Sequence, residues 1–128
     1  MDLYSKGSHY SVIISNNNNE NKVKLIESSE DGYIRVWDFH YEYNLLKIIN
    51  TKRYIFGICL WDDNNLLIGS SDCTIKIIDI NTEEVIKSLN HHTDSVLVIK
   101  KIFNNIYGDI LISLDNKGII KLWMNKRI

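Results

Sequence analysis

His91 and His92 form the most reactive-looking pair in the sequence, because neighbouring imidazoles are a common start for a metal site. Adjacent residues of an extended chain point to opposite faces, however, and no cysteine or third histidine stands at a ligand-like spacing from them. Cys59 and Cys73 have no metal-type or redox pairing, and read as small buried hydrophobes of a reducing compartment. A nucleophilic serine needs a base beside it, whereas the serines here fall in the turns of a repeat. No glycine-rich stretch has the form of a phosphate loop. The chemistry-bearing residues therefore predict no catalytic site, no metal, no cofactor and no enzyme.

Composition points the same way. The 128 residues are 45% hydrophobic and 24% charged, which is globular and enough for one core without disulfides. Fifteen basic against sixteen acidic residues leave a net charge of −1, so neither nucleic acid nor an anionic membrane surface is an expected partner. Met1 to Lys6 has no charged-then-apolar signal pattern. The longest apolar stretch, Tyr54 to Trp61, falls far short of the ~20 residues that span a bilayer. The expected location is the cytoplasm, with the nucleus as the other choice.

The elements that would position these side chains recur. Three segments end alike, at Asp31-Gly32-Tyr33-Ile34-Arg35-Val36-Trp37-Asp38, Asp72-Cys73-Thr74-Ile75-Lys76-Ile77-Ile78-Asp79 and Lys117-Gly118-Ile119-Ile120-Lys121-Leu122-Trp123-Met124. Each is a turn dipeptide followed by period-two alternation, the pattern of a strand entered from a tight turn. Trp37 to Ile78 is 41 residues and Ile78 to Trp123 is 45. Periods of about 40–45 residues with four strands each mark propeller blades. Eighteen residues beyond Trp37 and Ile78 stand Ile55 and Val96, both opening apolar strands, and a gapless alignment sets Leu45 against Ile86. Strands are predicted over 3–5, 9–15, 22–28, 33–39, 44–49, 54–61, 65–70, 74–80, 85–89, 95–103, 109–114 and 119–124. The polar stretches 16–21 and 104–108 fall in hairpin loops between them.

On these residues the chain resembles the WD-repeat family. The second copy carries the likeness best, through Asp79 to Leu89 and then His91-His92-Thr93-Asp94-Ser95-Val96, where His92 takes the place of the histidine in the family's Gly-His dipeptide. The resemblance implies an all-β fold: a partial WD-repeat β-propeller of three four-stranded antiparallel blades, the last lacking its outer strand, in an open arc. Blade 1 would cover about 9–50, blade 2 about 54–90 and blade 3 about 95–126, with 1–8 as an outer-strand remnant.

Family blades are often tied by a hydrogen-bonded His, Ser or Thr, Asp and Trp, because a buried indole N–H needs a partner. Carried over by position, the third copy supplies His92, Ser113 and Trp123, with Lys117 at the Asp position and Asp115, two residues earlier, as its candidate substitute. The first keeps Asp31 and Trp37 but has Glu27 and Ser8 at the Ser and His positions. The second keeps Asp72, with Thr51, Ile68 and Ile78 at the others. Asp38 and Asp79 stand where the family places the Asp of its Trp-Asp dipeptide. No copy reads as a complete set, so apolar packing is expected to dominate. Trp61-Asp62 has the namesake dipeptide but falls at the end of an inner strand, outside the repeat position.

The resemblance also implies that partners bind one loop face. Tyr10, Lys52, Arg53, Tyr54, Thr93 and Asp94, with Glu30, Ser71 and Asn116 from the turns, make the candidate protein-binding face. Arg53 and Tyr54 lead it by residue type. A solvated loop is the plain alternative. The expected function is a non-catalytic protein–protein interaction scaffold. The other reading is a regulatory or targeting appendage of a larger enzyme, such as a kinase. A closed ring needs four or more blades. Three therefore imply a piece of a longer protein, self-association or a further propeller segment that completes the ring, or an open arc held in an assembly.

Overall fold

The computed structural model describes residues 9–17, 22–29, 31–39, 43–124 and 128, with the side chains of 23–29, 31–38, 44–124 and 128. The expected strand at 3–5 lies outside these residues. Eleven strands are described, with no helix among them. They are β1 (His9–Asn17), β2 (Lys22–Ser29), β3 (Tyr33–Phe39), β4 (Tyr43–Asn50), β5 (Ile55–Leu60), β6 (Asn65–Ser70), β7 (Ile75–Asp79), β8 (Val85–Leu89), β9 (Val96–Asn104), β10 (Gly108–Asp115) and β11 (Ile120–Met124). They pair as three antiparallel sheets in the orders β1-β2-β3-β4, β5-β6-β7-β8 and β11-β10-β9. The sheets do not close on one another, and the fold is all-β and propeller-like, as the sequence predicts.

Alternation explains the stacking. In β6, Leu66 and Ile68 face the first sheet, where they join Ile26, Ile34, Val36, Ile49, Ile55, Ile58, Ile78 and Ile80 in one core. Leu67, on the opposite side of the same strand, joins Ile75, Ile77, Leu89, Val96, Ile99, Leu111 and Trp123 in a second core against the third sheet. The middle sheet is thus apolar on both faces, and each fully buried Leu or Ile contributes roughly 1.5–3 kcal/mol. Gly57 and Gly69 permit the second contact. A Cβ at Gly57 would stand 2.8 Å from the Leu97 carbonyl oxygen, and one at Gly69 2.7 Å from that of Val96.

The turn before each third strand needs a left-handed residue. Gly32, Cys73 and Gly118 fill it with φ of 83°, 70° and 82°. Each lies five residues before Trp37, Ile78 or Trp123. Gly32 also packs against the Arg53 carbonyl, leaving no room for a Cβ.

Two expectations about register are corrected. The gapless alignment sets Leu45 against Ile86, yet Trp37 pairs with Leu45 while Ile78 pairs with Val85. The outer strands therefore correspond with an offset of 40, which matches Ile49 to Leu89, both buried, where the gapless register would match Ile49 to the exposed Asn90. Asn16 and Asn17, assigned to a loop by composition, pair with Val23 and Lys22 in the first hairpin. The four extra residues of the third copy lengthen β9 and β10 relative to β5 and β6. They form a hairpin whose tip exposes Phe103, Ile106 and Tyr107.

Candidate functional site

The hydrogen-bonded residues lie where the second strand turns into the third. In the third sheet His92 is buried with Nδ1 2.8 Å from Asp115 Oδ2 and Nε2 2.6 Å from Ser113 Oγ. Trp123 Nε1 donates to the same Ser113 oxygen at 2.8 Å. A carboxylate only accepts, so the arrangement is satisfied with the proton on Nδ1 and the Ser113 hydroxyl donating to Nε2. The other Asp115 oxygen accepts the backbone N–H groups of Lys117 (2.9 Å) and Ile119 (3.0 Å). Burial opposes ionisation of Asp115, but His92 and these two N–H groups hold its pKa below the usual carboxylate range. The third copy is thus complete, which corrects the expectation that no copy is. Asp115 supplies the carboxylate from a position two residues earlier, level with Ser29 and Ser70 of the other copies.

The other two turns use that serine differently. Ser29 and Asp31 are hydrogen-bonded, and Arg35 joins them, donating to Ser29 Oγ at 2.9 Å and to Asp31 Oδ2 at 3.2 Å. Burial opposes the Asp31 charge, and Ser29, the Tyr33 N–H and Arg35 outweigh it, lowering the pKa. In the second copy Ser70 accepts from the Asp72 N–H at 3.3 Å, and Asp72 accepts from Thr74 and Lys76. Despite opposing burial, these bonds bring the Asp72 pKa down to about 2. Trp37 Nε1 donates to buried Glu27 at 3.4 Å, so a carboxylate takes the serine's role in the first copy. In the second, Ile68 and Ile78 replace acceptor and donor together, which leaves no buried polar group wanting a partner.

Asp79 and Asp62 brace local turns. Asp79 Oδ1 accepts the N–H groups of Asn81 (2.8 Å) and Thr82 (3.2 Å). Asp38 has one buried oxygen without a hydrogen-bond partner among the described residues. Asp62 closes the β5–β6 turn through the N–H groups of Asn64 and Asn65, both at 2.9 Å. Trp61 packs beside the second core under Lys101, whose ammonium lies 4.8 Å from the ring centroid. Cys59 is buried, burial raising its thiol pKa, and both cysteines are unpaired.

The candidate face gathers into two groups. Lys52, Arg53 and Tyr54, exposed in the β4–β5 connection, line an open hollow of about 410 Å³ with Asp31, Tyr33, Asn50 and Ser71. Backbone bonds fix its walls: Ser71 N–H to Tyr54 O (3.0 Å) and Thr51 N–H to Gly32 O (3.0 Å). Arg53 Nε lies 3.7 Å from Asp72 Oδ2, while Lys76 holds that carboxylate more closely. Thr93, Asp94 and Asn116 form the second group, where Asn116 N–H donates to Ser95 O at 2.9 Å and Lys117 Nζ to Thr93 Oγ1 at 3.4 Å. The side chain of Tyr10, and Glu30 and Ser8 entirely, lie outside the described residues. Among the described residues no cluster of His, Cys, Asp and Glu could hold a metal ion, and no helix is long and apolar enough to cross a membrane.

Sequence reasoning missed the exposed hairpin tip of Phe103, Ile106 and Tyr107. Composition reads 104–108 as a polar loop, although Ile106-Tyr107 within it signals otherwise.

Three antiparallel sheets stacked face to face, with turns and connections braced along one rim, define a β-propeller segment. Residues 44–79 match the family model described as WD domain, G-beta repeat. That repeat runs from β4 of the first sheet through β7 of the second, so sequence repeat and structural blade are offset by one strand. No curated protein matches the chain in sequence. Among solved structures, the chain is similar to the WD40 β-propeller domain of Doa1, with 21% identity and a TM-score of 0.76 over 93% of this chain and 38% of that one. It is also similar to the computationally designed Ika8 protein, with 22% identity and a TM-score of 0.62 over 88% of this chain and 33% of that one. The chain spans 38% of the length of the first and 33% of the second. It carries a WD repeat at 44–79 and has a β-propeller-like fold across its described sheets. Matches reach 374 chains of known structure, so the fold alone names no activity. WD-repeat propellers generally serve as protein-interaction scaffolds and typically carry no catalysis of their own.

Proposed function

We propose that this chain is a non-catalytic protein-interaction scaffold whose partner docks on the face formed by Lys52, Arg53 and Tyr54. The observation that carries this reading is their exposure over the hollow of about 410 Å³, on walls held by the Gly32–Thr51 and Tyr54–Ser71 backbone bonds. An exposed Arg beside an exposed Tyr on a braced loop offers charge, apolar area and little conformational freedom to lose. The second group, Thr93, Asp94 and Asn116, extends the docking surface.

A further propeller segment, or another copy of the chain, covers the outer face of the third sheet, where Val98, Ile102, Ile120 and Leu122 are exposed. A contiguous apolar face of this kind belongs to an interface. Unpaired Cys59 and Cys73 suit a reducing compartment, the cytoplasm or the nucleus. Neither nucleic acid nor a membrane surface is among the proposed partners. The test is a chain carrying both Arg53→Ala and Tyr54→Ala, assayed against a co-purified protein. Binding should weaken at least about tenfold, the loss of 1.4 kcal/mol, with an unchanged urea midpoint. Unchanged binding removes this face from the account.

A further inference from the structure

The hollow beside Lys52, Arg53 and Tyr54 carries more positive charge than the fold around it neutralises. Two described carboxylates stand near it, Asp31 and Asp72, and both are engaged from within their own turns. Asp31 accepts from Ser29, from the Tyr33 N–H at 3.1 Å and from Arg35 at 3.2 Å. Asp72 accepts from Thr74 at 2.6 Å and from the Lys76 ammonium. Each carboxylate thus has a cation of its own on the strand that follows, Arg35 in β3 or Lys76 in β7. Lys52 and Arg53 are the surplus. Among the described residues Lys52 makes no ion pair. Arg53 makes one long one, Nε to Asp72 Oδ2 at 3.7 Å, with its side chain 60% exposed.

The backbone that carries the two cations is fixed. Thr51 ties the connection to the Gly32 carbonyl twice, through its N–H at 3.0 Å and its hydroxyl at 2.6 Å. Lys52 has φ of 60°, the left-handed region where Gly or Asn rests more easily, and its N–H donates to Asn50 Oδ1 at 2.9 Å. Tyr33 and Tyr54 add aromatic walls, the first with the Arg35 guanidinium 5.5 Å from its ring centroid. The next connection, from β8 to β9, has a different charge. In the register that matches Ile55 to Val96, Thr93 stands at the place of Lys52 and Asp94 at that of Arg53, and Lys117 donates to Thr93. The cationic pair therefore belongs to this one hollow and is not a feature of the repeat.

Resting on the docking reading of this face, we propose that the hollow is a seat for an acidic stretch of the partner protein, two neighbouring Asp or Glu carboxylates meeting Lys52 and Arg53. Tyr33 and Tyr54 pack against the aliphatic stems of those side chains. Exposed cations of this kind give selectivity and a faster encounter more than raw affinity. Each exposed pair contributes little, so the preference is modest and depends strongly on salt.

The probe is an acetylated and amidated peptide, Gly-Glu-Glu-Leu-Gly, with a twin carrying Gln-Gln, titrated into the full isotope-labelled chain at low salt and followed by NMR. Saturable shifts at Tyr33, 50–54 and Ser71 are expected for the acidic peptide, with affinity about fivefold above that of the twin, as two exposed pairs would give. The preference should disappear by about 0.5 M salt. It should disappear too in a chain carrying Lys52→Asn and Arg53→Gln with an unchanged urea midpoint, since Asn suits the left-handed position. Absence of shifts in 50–54, equal binding of the two peptides, or a preference that survives in the doubly neutral chain would overturn the proposal. A phosphoserine pair that bound where Glu-Glu did not would overturn the carboxylate assignment. A partner lost by the Arg53→Ala, Tyr54→Ala chain but kept by the Lys52→Asn, Arg53→Gln chain would also overturn it, and would leave the docking reading intact.

Discussion

At the scale of single residues, the Ser113 hydroxyl links the buried indole and the buried imidazole of the third sheet. It accepts from the Trp123 indole and donates to His92, which in turn donates to Asp115. Replacing Ser113 by Ala would strand a buried indole N–H and a buried imidazole nitrogen together. A stability loss of about 1–3 kcal/mol is expected, read as a lower urea midpoint with an unchanged slope. Ile68→Ala at the equivalent position of the second copy removes apolar volume instead, so its loss should follow the cavity left behind. The aspartates set the acid limit. Asp72 has a folded pKa of about 2, below its unfolded value, so its contribution is present above pH ~4 and disappears as pH falls through the folded pKa. Asp72→Asn should flatten the dependence of stability on pH between about 4 and 2, measured by urea melts across that range. An unchanged profile would mean that Lys76 and Thr74 do not favour the charged form. His92, Ser113 and Trp123 were legible through the resemblance to WD repeats, in which a buried indole demands an acceptor. That Asp115 is the fourth member was less legible, since a turn can supply the same carboxylate from either of two alternate positions on one side of the strand.

At the scale of elements, period-two alternation made β3, β6 and β8 readable to the residue, and most other boundaries to within a residue or two. Alternation failed where it was degenerate. Leu45-Leu46 and Val85-Ile86 are aliphatic pairs, so either member of one fits either member of the other, and only the pairing with Trp37 and Ile78 chooses. The candidate binding loops were readable by position, because turns and connections of repeated sheets fall on one rim. The division into two groups was not, since it depends on which backbone groups bond across the turns. Packing between sheets was also invisible in the sequence, although it rests on small residues. Gly69 meets Val96 so closely that Gly69→Ala must push β6 from β9, with an expected loss of about 1–3 kcal/mol. Hydrogen exchange should show that loss first in β9 and β10. Protection lost equally from β1 to β4 would mean that the three sheets unfold as one unit.

At the scale of the whole molecule, the middle sheet is the only one, among the described residues, with an apolar core on each side. The third sheet turns Val98, Ile102, Ile120 and Leu122 outward, and the β9–β10 hairpin adds Phe103, Ile106 and Tyr107. Propeller geometry accounts for both observations, because each blade face is built to meet a neighbour. A net charge of −1 gives little electrostatic repulsion to keep such faces apart. The outer face of the third sheet is therefore expected to be an interface. Sedimentation velocity of the purified chain over a wide concentration range tests that claim most directly. A defined oligomer, or association that grows with concentration and is suppressed by Leu122→Lys, is the predicted result. A compact monomer at every concentration, with no partner bound, would contradict it.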